Sequence, residues 1–289
     1  MKFEILNTPD KRLSPLVPAK PSCGCSDPVT AMDSEALTPP YIKGYIKTGP
    51  VNVPIVSTVL SYRDKWETVK ARVGSFRMNF SVKPGLYAVG NPDQNSDVFV
   101  TANYKMSFDA LRSALDGING WIIVLDTRGI NVWCAAGKGT FGTGELLKQI
   151  TRTKIAEFVS HRKLILPQLG APGINSAEIR RKSGFRVMYG PVRSAELKKY
   201  IANSYKCDEE MRLVRFNIID RLILTPIELN QILSRFPLFV LIVLILFGLT
   251  PEGIIFRDSI IKGAFYLMAG VLAVFTGAFF TPVFLPFIP

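Results

Sequence analysis

The sequence predicts an α/β fold: a doubly wound, Rossmann-like domain followed by transmembrane α-helices. Three observations lead to this prediction. Short apolar runs alternate with helical patterns between about residues 50 and 205, as in a parallel sheet covered by helices on both faces. Beyond Arg235 the sequence changes to long, almost uncharged aliphatic runs. The net charge of +12 is confined to the first 235 residues, because the four charged residues after Phe236 cancel.

Hydrophobic periodicity predicts each element of the first region in turn. Apolar, β-branched runs predict strands, and apolar residues three or four positions apart predict helices. The predicted strands are 53–60, 98–101, 121–126, 164–167 and 185–189. The predicted helices are 62–73, 107–115, 144–160, 176–182 and 195–202.

Composition divides the chain into four predicted segments. Residues 1–45, rich in Pro, Ser and Asp, predict a poorly ordered tail, and 46–205 the α/β domain. Residues 206–235 form a linker with amphipathic character, and 236–289 form transmembrane helices, two in number or part of a longer membrane domain. A hairpin of buried core helices is the alternative to these spans.

A bilayer core requires about 20 predominantly apolar residues per helix. The run 260–289 meets this length with one charge, Lys262, whereas 237–249 meets it only when extended at either end. Arg221 and Arg235 precede the first run, which favours that side as cytoplasmic. We therefore expect a multi-pass protein of the cytoplasmic (inner) membrane, with its α/β domain facing the cytoplasm.

The basic charge is compatible with several partners. No dense Lys/Arg run with interleaved aromatic residues occurs, so nucleic acid is not expected as a partner. Basic residues next to a membrane segment are attracted to anionic lipid. Membrane lipid is the expected partner of this charge.

Four cysteines are too few for a disulfide-stapled secreted scaffold. A reduced, cytoplasmic environment would leave Cys134 free to act as a ligand. Cys23 and Cys25 either capture a soft metal ion or are incidental. Acidic neighbours are expected to raise the pKa of Cys207 and to make it unreactive.

Ligands of doubly wound sheets bind beyond the carboxyl ends of the strands. The loops that we assign to this edge are rich in Gly, Pro, Asn and Thr. They are 90–92, 101–104, 126–143, 167–173 and 189–191. His161, near the end of a predicted helix, is expected to lie away from them.

The segment 131–138, Asn-Val-Trp-Cys-Ala-Ala-Gly-Lys, is the most informative of these loops. Its last two residues begin a Gly-Lys-Gly-Thr run that fails the phosphate-loop pattern, since Val132 and Gly139 occupy the positions that require Gly and Ser or Thr. The spacing of Gly137, Gly139 and Gly142 imitates a dinucleotide fingerprint, but too far from the preceding strand. A cysteine packed in a tight turn remains the alternative to a ligand site.

Residues 131–138 resemble the signature of the mercury-methylating corrinoid proteins, the HgcA family. The blocks 87–92, 100–105, 164–173 and 189–192 are similar to the corrinoid-binding domain of the large subunit of the corrinoid iron–sulfur protein. Together these blocks cover about residues 85–200. That relative has no cysteine at this place and no transmembrane segment, so the resemblance favours the mercury-methylating family.

The resemblance implies that residues 131–138 form a cap helix under a cobalamin-type corrinoid, with Cys134 as the lower axial ligand of cobalt. Cobalt would hold the sulfur as thiolate, which favours departure of the methyl group as a carbanion-like species. The implied cofactor-binding residues are Gly90, Asn91, Thr101, Ala102, Asn103, Asn131, Val132, Trp133, Cys134, Ala135, Ala136, Gly137, Lys138, Gly139, Thr140, Leu166, Pro167, Gln168, Leu169, Tyr189, Gly190 and Pro191.

The function implied by the resemblance is transfer of a methyl group from methyl-cobalt(III) to Hg(II), producing methylmercury. It further implies a methyltetrahydrofolate-linked methyl donor and a ferredoxin-like partner of the HgcB type with two [4Fe–4S] clusters. The chain has no cysteine spacing for a cluster of its own. Two alternatives are a membrane-tethered corrinoid methyl carrier for one-carbon metabolism of the acetyl-CoA pathway kind and a non-catalytic corrinoid-binding module.

Overall fold

The structure, a computed structural model, describes residues 4–6, 39–48, 51–251, 253–254 and 256–287. The strands are β1 (Glu4–Leu6), β2 (Ile42–Thr48), β3 (Val51–Val56), β4 (Gly85–Val89), β5 (Asp97–Ala102), β6 (Gly120–Leu125), β7 (Lys163–Leu166), β8 (Arg186–Tyr189), β9 (Leu249–Thr250) and β10 (Gly253–Ile254). The helices are α1 (Tyr62–Val73), α2 (Lys105–Ala114), α3 (Val132–Gly137), α4 (Thr143–Thr153), α5 (Ile155–Phe158), α6 (Ser176–Ser183), α7 (Leu197–Ala202), α8 (Glu209–Arg212), α9 (Ile218–Leu233), α10 (Phe236–Gly248), α11 (Phe256–Phe275) and α12 (Thr281–Phe284).

Eight strands form one mixed sheet in the order β1-β2-β3-β4-β6-β5-β7-β8. The strands β6, β5, β7 and β8 are mutually parallel, whereas β4 runs antiparallel to β6 and β2 antiparallel to β3. The order in which strands are added to the sheet reverses at β5. The next strand along the chain, β6, lies on one side of β5, and the one after it, β7, lies on the other side. The α/β class is confirmed, and the doubly wound arrangement is confined to the four parallel strands.

Alternate residues of the central strands enter two cores, one on each face of the sheet. Val98 and Val100 of β5 belong to the core covered by α4, α5 and α6, and Phe99 between them belongs to the other. That second core is covered by α2 and α7, through Phe108 and Leu197 among others. Strands buried on both faces explain the continuous apolar runs in the sequence.

A buried network of four charged side chains holds α2 in place. Lys105 Nζ lies 2.7 Å from Asp64 Oδ1 and also contacts Asp109, while Arg112 lies 2.9 Å from Asp64 and 2.7 Å from Asp109. Each side chain is at most 6% exposed. Two cations and two carboxylates compensate one another, which is the condition under which buried charges are tolerated.

Most predicted elements of the α/β region are confirmed, with differences at the helix 144–160 and at β4. The predicted poor order of residues 1–45 stays a prediction, although β1 within this segment pairs with residues 45–47 of β2. The predicted helix 144–160 is broken at Lys154, whose φ of 51° is left-handed. The strand β4 has no counterpart among the predicted strands.

The chain divides into two compact units. The first comprises the described residues up to Lys65 together with Met78–Leu213, and the second comprises Trp66–Arg77 and the described part of Val214–Pro289. The segment boundaries predicted from composition stay predictions.

In the second unit α10 and α11 pack closely, with the two-stranded β9–β10 pair between them in the chain. A Cβ atom on Gly270 would lie 2.4 Å from the ring of Phe239, and one on Gly263 would lie 3.0 Å from Val243 Cγ1. Small residues that let two helices approach closely are typical of membrane helix pairs.

Among the described residues one helical stretch, Ser259–Phe284, is long and apolar enough to cross a membrane, with a mean hydropathy of 1.9. A second span requires α9 and α10, which bend by 41° at their junction, to act as one. The two predicted spans therefore remain a prediction.

Candidate functional site

The carboxyl ends of β5, β6, β7 and β8 lie at one edge of the sheet, where the chain changes direction across β5. Crevices at such a switch point are the usual ligand sites of open α/β sheets. The helix α3 follows β6 and packs on β5 and on the 3-10 segment Gln168–Gly173 that follows β7. Cys134 is therefore carried to the switch point.

The short helix α3 separates a buried face from an exposed one. Val132, Ala135 and Ala136 are buried, whereas Trp133, with 62% exposure, and Cys134 are exposed. Asn131 precedes the helix, and its Oδ1 accepts a hydrogen bond from the backbone N of Cys134 at 2.9 Å. An Asn cap satisfies one of the free N–H groups at the start of a helix. The thiol thus points outward from a helix with a defined start.

Phe141 locks α3 against the loop that follows β7. Its side chain is fully buried, and its backbone N donates to Ala135 O at 3.1 Å. A Cβ atom on Gly170 would lie 2.4 Å from the Phe141 ring, and one on Gly173 would lie 2.1 Å from Phe141 O. These two positions therefore require glycine, which explains part of the glycine content of this loop.

The loop between β6 and α3 is organised by Asn103, which follows β5. Its Oδ1 accepts hydrogen bonds from the backbone N of Thr127 and of Gly129, at 3.1 and 2.9 Å, and from Thr127 Oγ1 at 2.8 Å. Its Nδ2 donates to Asp126 Oδ1 at 3.3 Å. The resemblance assigned Asn103 to the cofactor, but its side chain is buried and bonded within the protein.

The structure brings most predicted binding residues to this edge, in three groups that differ in exposure. Those on the exposed side are Trp133, Cys134, Gly137, Lys138 and Gly139. The half-buried ones are Asn131, Thr140, Pro167, Gln168, Leu169 and Tyr189. The buried ones are Thr101, Ala102, Asn103, Val132, Ala135, Ala136, Leu166, Gly190 and Pro191, which shape the site from beneath.

The direction of β4 contradicts the prediction that Gly90 and Asn91 belong to this site. They follow β4, which is antiparallel to β6, and therefore lie at the opposite edge of the sheet. There Asn119 Oδ1, just before β6, accepts a hydrogen bond from Asn91 N at 3.0 Å. The loop 90–92 is thus separated from Cys134 by the length of the strands and does not join its site.

His161 and Cys207 both lie outside α3, and each has its own hydrogen-bond partner. His161 precedes β7, at the amino edge, where Nε2 is 2.9 Å from Ser96 O. Burial raises the pKa of the Cys207 thiol, Asp208 and Glu196 raise it further, and Arg212 opposes them. The acidic setting predicted for Cys207 thus contributes, but burial is the larger cause. Cys23 and Cys25 lie outside the described residues.

The surroundings of Cys134 fit a broad, flat ligand with a soft metal at its centre. A Cβ atom placed on Gly137 or on Gly139 would meet nothing within 4 Å, so the backbone beyond the thiol is open. In the described part of the chain no three His, Cys, Asp or Glu side chains form a cluster that could hold a metal ion.

Fold and geometry together describe an α/β protein with a candidate ligand site at the carboxyl ends of the four parallel strands of a mixed sheet, beside the exposed thiol of Cys134. Residues 74–201 match the family described as CO dehydrogenase/acetyl-CoA synthase delta subunit. The match covers less than half of the chain.

Three similar proteins are gamma subunits of the acetyl-CoA decarbonylase/synthase complex. That of Archaeoglobus fulgidus is 33% identical over 131 residues, which is 45% of this chain and 27% of the relative. Those of Methanocaldococcus jannaschii and Methanopyrus kandleri are 34% and 36% identical, over 43% and 42% of this chain and 26% of each relative. The chain thus spans about a quarter of the length of these curated relatives.

Proposed function

We propose that this chain is a corrinoid-dependent methyltransferase that passes a methyl group from corrinoid cobalt to Hg(II), producing methylmercury. The observation that carries the proposal is the exposed Cys134 on the capped helix α3, at the switch point of the sheet. When bound, the corrinoid supplies a cobalt ion that carries the methyl group. The likeness of residues 74–201 to acetyl-CoA decarbonylase/synthase subunits supports the methyl-transfer class.

Cys134 would hold the corrinoid cobalt through its sulfur, and Asn131 would hold the backbone of Cys134. A cobalt ion held by a thiolate would be electron-rich and would supply the methyl group with its bonding electrons, which is the form that Hg(II) accepts. Gly137 and Gly139 leave the backbone bare beside the thiol, so the ring can approach it.

The second candidate is a methyl carrier for one-carbon metabolism, and the names of the relatives favour it. The two candidates differ in the final acceptor. Reduction of the cobalt for another cycle would fall to a two-cluster ferredoxin partner of the HgcB type, with methyltetrahydrofolate as the source of the methyl group.

Membranes that contain the methylcobalamin-loaded chain, the two-cluster ferredoxin with a low-potential reductant, and methyltetrahydrofolate are expected to form methylmercury from Hg(II) over repeated turnovers. The measurement is methylmercury formed per corrinoid, beside membranes without the ferredoxin, which should stop after about one turnover. A chain that accepts the methyl group but yields no methylmercury would be the carrier instead. One that never accepts it would be a binding module.

We also propose that residues 214–289 anchor the chain in the cytoplasmic membrane, with the α/β domain on the cytoplasmic side. Along α11 the side chains of Ile261, Phe265, Met268 and Leu272 are 65–69% exposed, and their spacing places them on one face. An apolar stripe of this size marks a surface that contacts lipid or protein.

The full chain is expected to stay in the membrane pellet after extraction with alkaline carbonate, because apolar helices are not released by loss of charge contacts. A chain that ends at Leu213 is the matched control and should be released. Release of the full chain as well would argue against insertion.

A further inference from the structure

We infer that Asn103 is a positioning residue for the Cys134 thiol, acting through the loop 126–131. The inference rests on the proposed function, in which Cys134 is the ligand of the corrinoid metal. Asn103 follows β5, and Cys134 follows β6, the neighbouring parallel strand. A single amide side chain thus connects the central strand to the start of α3.

The helix α3 is too short to fix its own position. It has six residues, and its buried face consists of Val132, Ala135 and Ala136, which bury little apolar surface. Isolated helices of such length are unstable in water. The position of Cys134 must therefore be set by the segments that flank α3.

The loop 126–131, which precedes α3, needs a hydrogen-bond acceptor from outside the loop for its backbone N–H groups. Arg128 and Gly129 both have left-handed φ values, 58° and 71°. This conformation is unfavourable for a residue with a side chain such as Arg128. It directs the N–H groups of Thr127 and Gly129 toward one point, where Asn103 Oδ1 accepts both.

The orientation of the Asn103 amide follows from these partners. Two N–H donors require an acceptor on one side, and the Asp126 carboxylate requires a donor on the other. The reversed amide would place its NH₂ against both N–H groups and its oxygen against the carboxylate.

The connection continues to α3 through Thr127. Its side chain is fully buried, and its hydroxyl lies 2.8 Å from Asn103 Oδ1 and 2.6 Å from Ile130 O. Ile130 is followed by Asn131, whose side chain binds Cys134 N. Every step from the end of β5 to the ligand residue is thus a hydrogen bond or one peptide unit.

The test compares Asn103→Ala with Asn119→Ala in the full chain. Asn119 also bonds a backbone N–H through its side chain, but at the opposite edge of the sheet. In the corrinoid-free chain, Asn103→Ala is expected to accelerate hydrogen exchange of the amides of residues 127–134 by about tenfold or more. Asn119→Ala should leave these amides unchanged.

The second readout is the absorption spectrum of the cobalamin-loaded chain. Asn103→Ala is expected to lose the sulfur-ligated form while cobalamin stays bound, because the thiol is present but misplaced. Unchanged exchange together with an unchanged spectrum would overturn the inference.

The rescue experiment uses the double variant Asn103→Asp with Asp126→Asn, in which the two side chains exchange positions. It restores an acceptor for Thr127 N and Gly129 N and a donor opposite it, but the amide at position 126 gives up the hydrogen bond from Arg128 N to Asp126 Oδ1, so protection and the sulfur-ligated spectrum should recover in part. If it behaves like Asn103→Ala, the inference is wrong. A wild-type chain without sulfur ligation would contradict the proposed function, whereas exchange in the corrinoid-free chain would still decide whether Asn103 orders this loop.

Discussion

Cys134→Ala is expected to lower methylmercury formation by more than about 100-fold, since even residues that only orient a metal ligand cost roughly 10–100-fold when lost. The substitution removes the exposed sulfur at the switch point and leaves the helix cap from Asn131 to the backbone intact. Cobalamin should remain bound, because the backbone around Gly137 and Gly139 is unchanged. Methylmercury assays and absorption spectra of the loaded chain measure the two effects separately.

Cys207→Ala is the matched control for this prediction. Cys207 is the other free cysteine among the described residues, half-buried, with its sulfur 3.7 Å from Tyr189 O. Its removal should change neither the spectrum nor the activity. Full activity of Cys134→Ala would exclude the thiolate mechanism.

Lys105→Met is expected to lower the free energy of unfolding by about 3–5 kcal/mol, the usual cost of removing one partner from a buried ion pair. Methionine keeps most of the volume of the side chain but leaves Asp64 and Asp109 with Arg112 as their only cation in the network. Urea unfolding, followed by the fluorescence of the fully buried Trp121, measures the change.

The control is Lys148→Met, which removes an exposed ion pair of 3.3 Å with Glu145. Exposed pairs contribute about 0–1 kcal/mol, so this variant should stay close to the wild type. Equal effects of the two substitutions would mean that the buried network does not stabilise the fold.

The same network predicts a loss of stability in acid. Burial works to raise the pKa of Asp64, but hydrogen bonds from Lys105 and Ser61 outweigh it and hold the pKa below its ordinary value of 3.8. The stabilisation is complete above that value and is lost as the pH falls below it, because the unfolded chain takes up the proton first. In Lys105→Met this acid-dependent part should be smaller.

Local sequence patterns predicted helices and strands well where their formation depends on one segment of the chain alone. The helix α1 begins and ends where its amphipathic period does, and the apolar runs of β5 and β6 mark strands buried on both faces. The break at Lys154 was missed because the apolar period continues across it, and its left-handed φ leaves no signal in residue type. The sequence did not predict β4 as a strand, although it predicted the loop at residues 90–92 that follows β4.

The sequence could predict which residue of the candidate site carries the chemistry, but not which residues hold it in place. A cysteine followed by small residues, between a strand and a helix, indicated Cys134 as a candidate ligand. The converging hydrogen bonds on Asn103 could not be inferred, since they join two segments more than 20 residues apart. An Asn directly after a buried strand was the one available signal.

The sequence by itself determined the α/β class, the parallel strands β5 to β8 and the position of Cys134 between β6 and α4, at the carboxyl edge of these strands. These follow from periodicity and composition, which act within one segment. Only the tertiary structure decided that β4 runs antiparallel to β6, which moves Gly90 and Asn91 to the other edge. It also decided that Lys105 turns into a buried charge network. Strand direction and side-chain partners depend on contacts between distant segments, and a local pattern does not encode them.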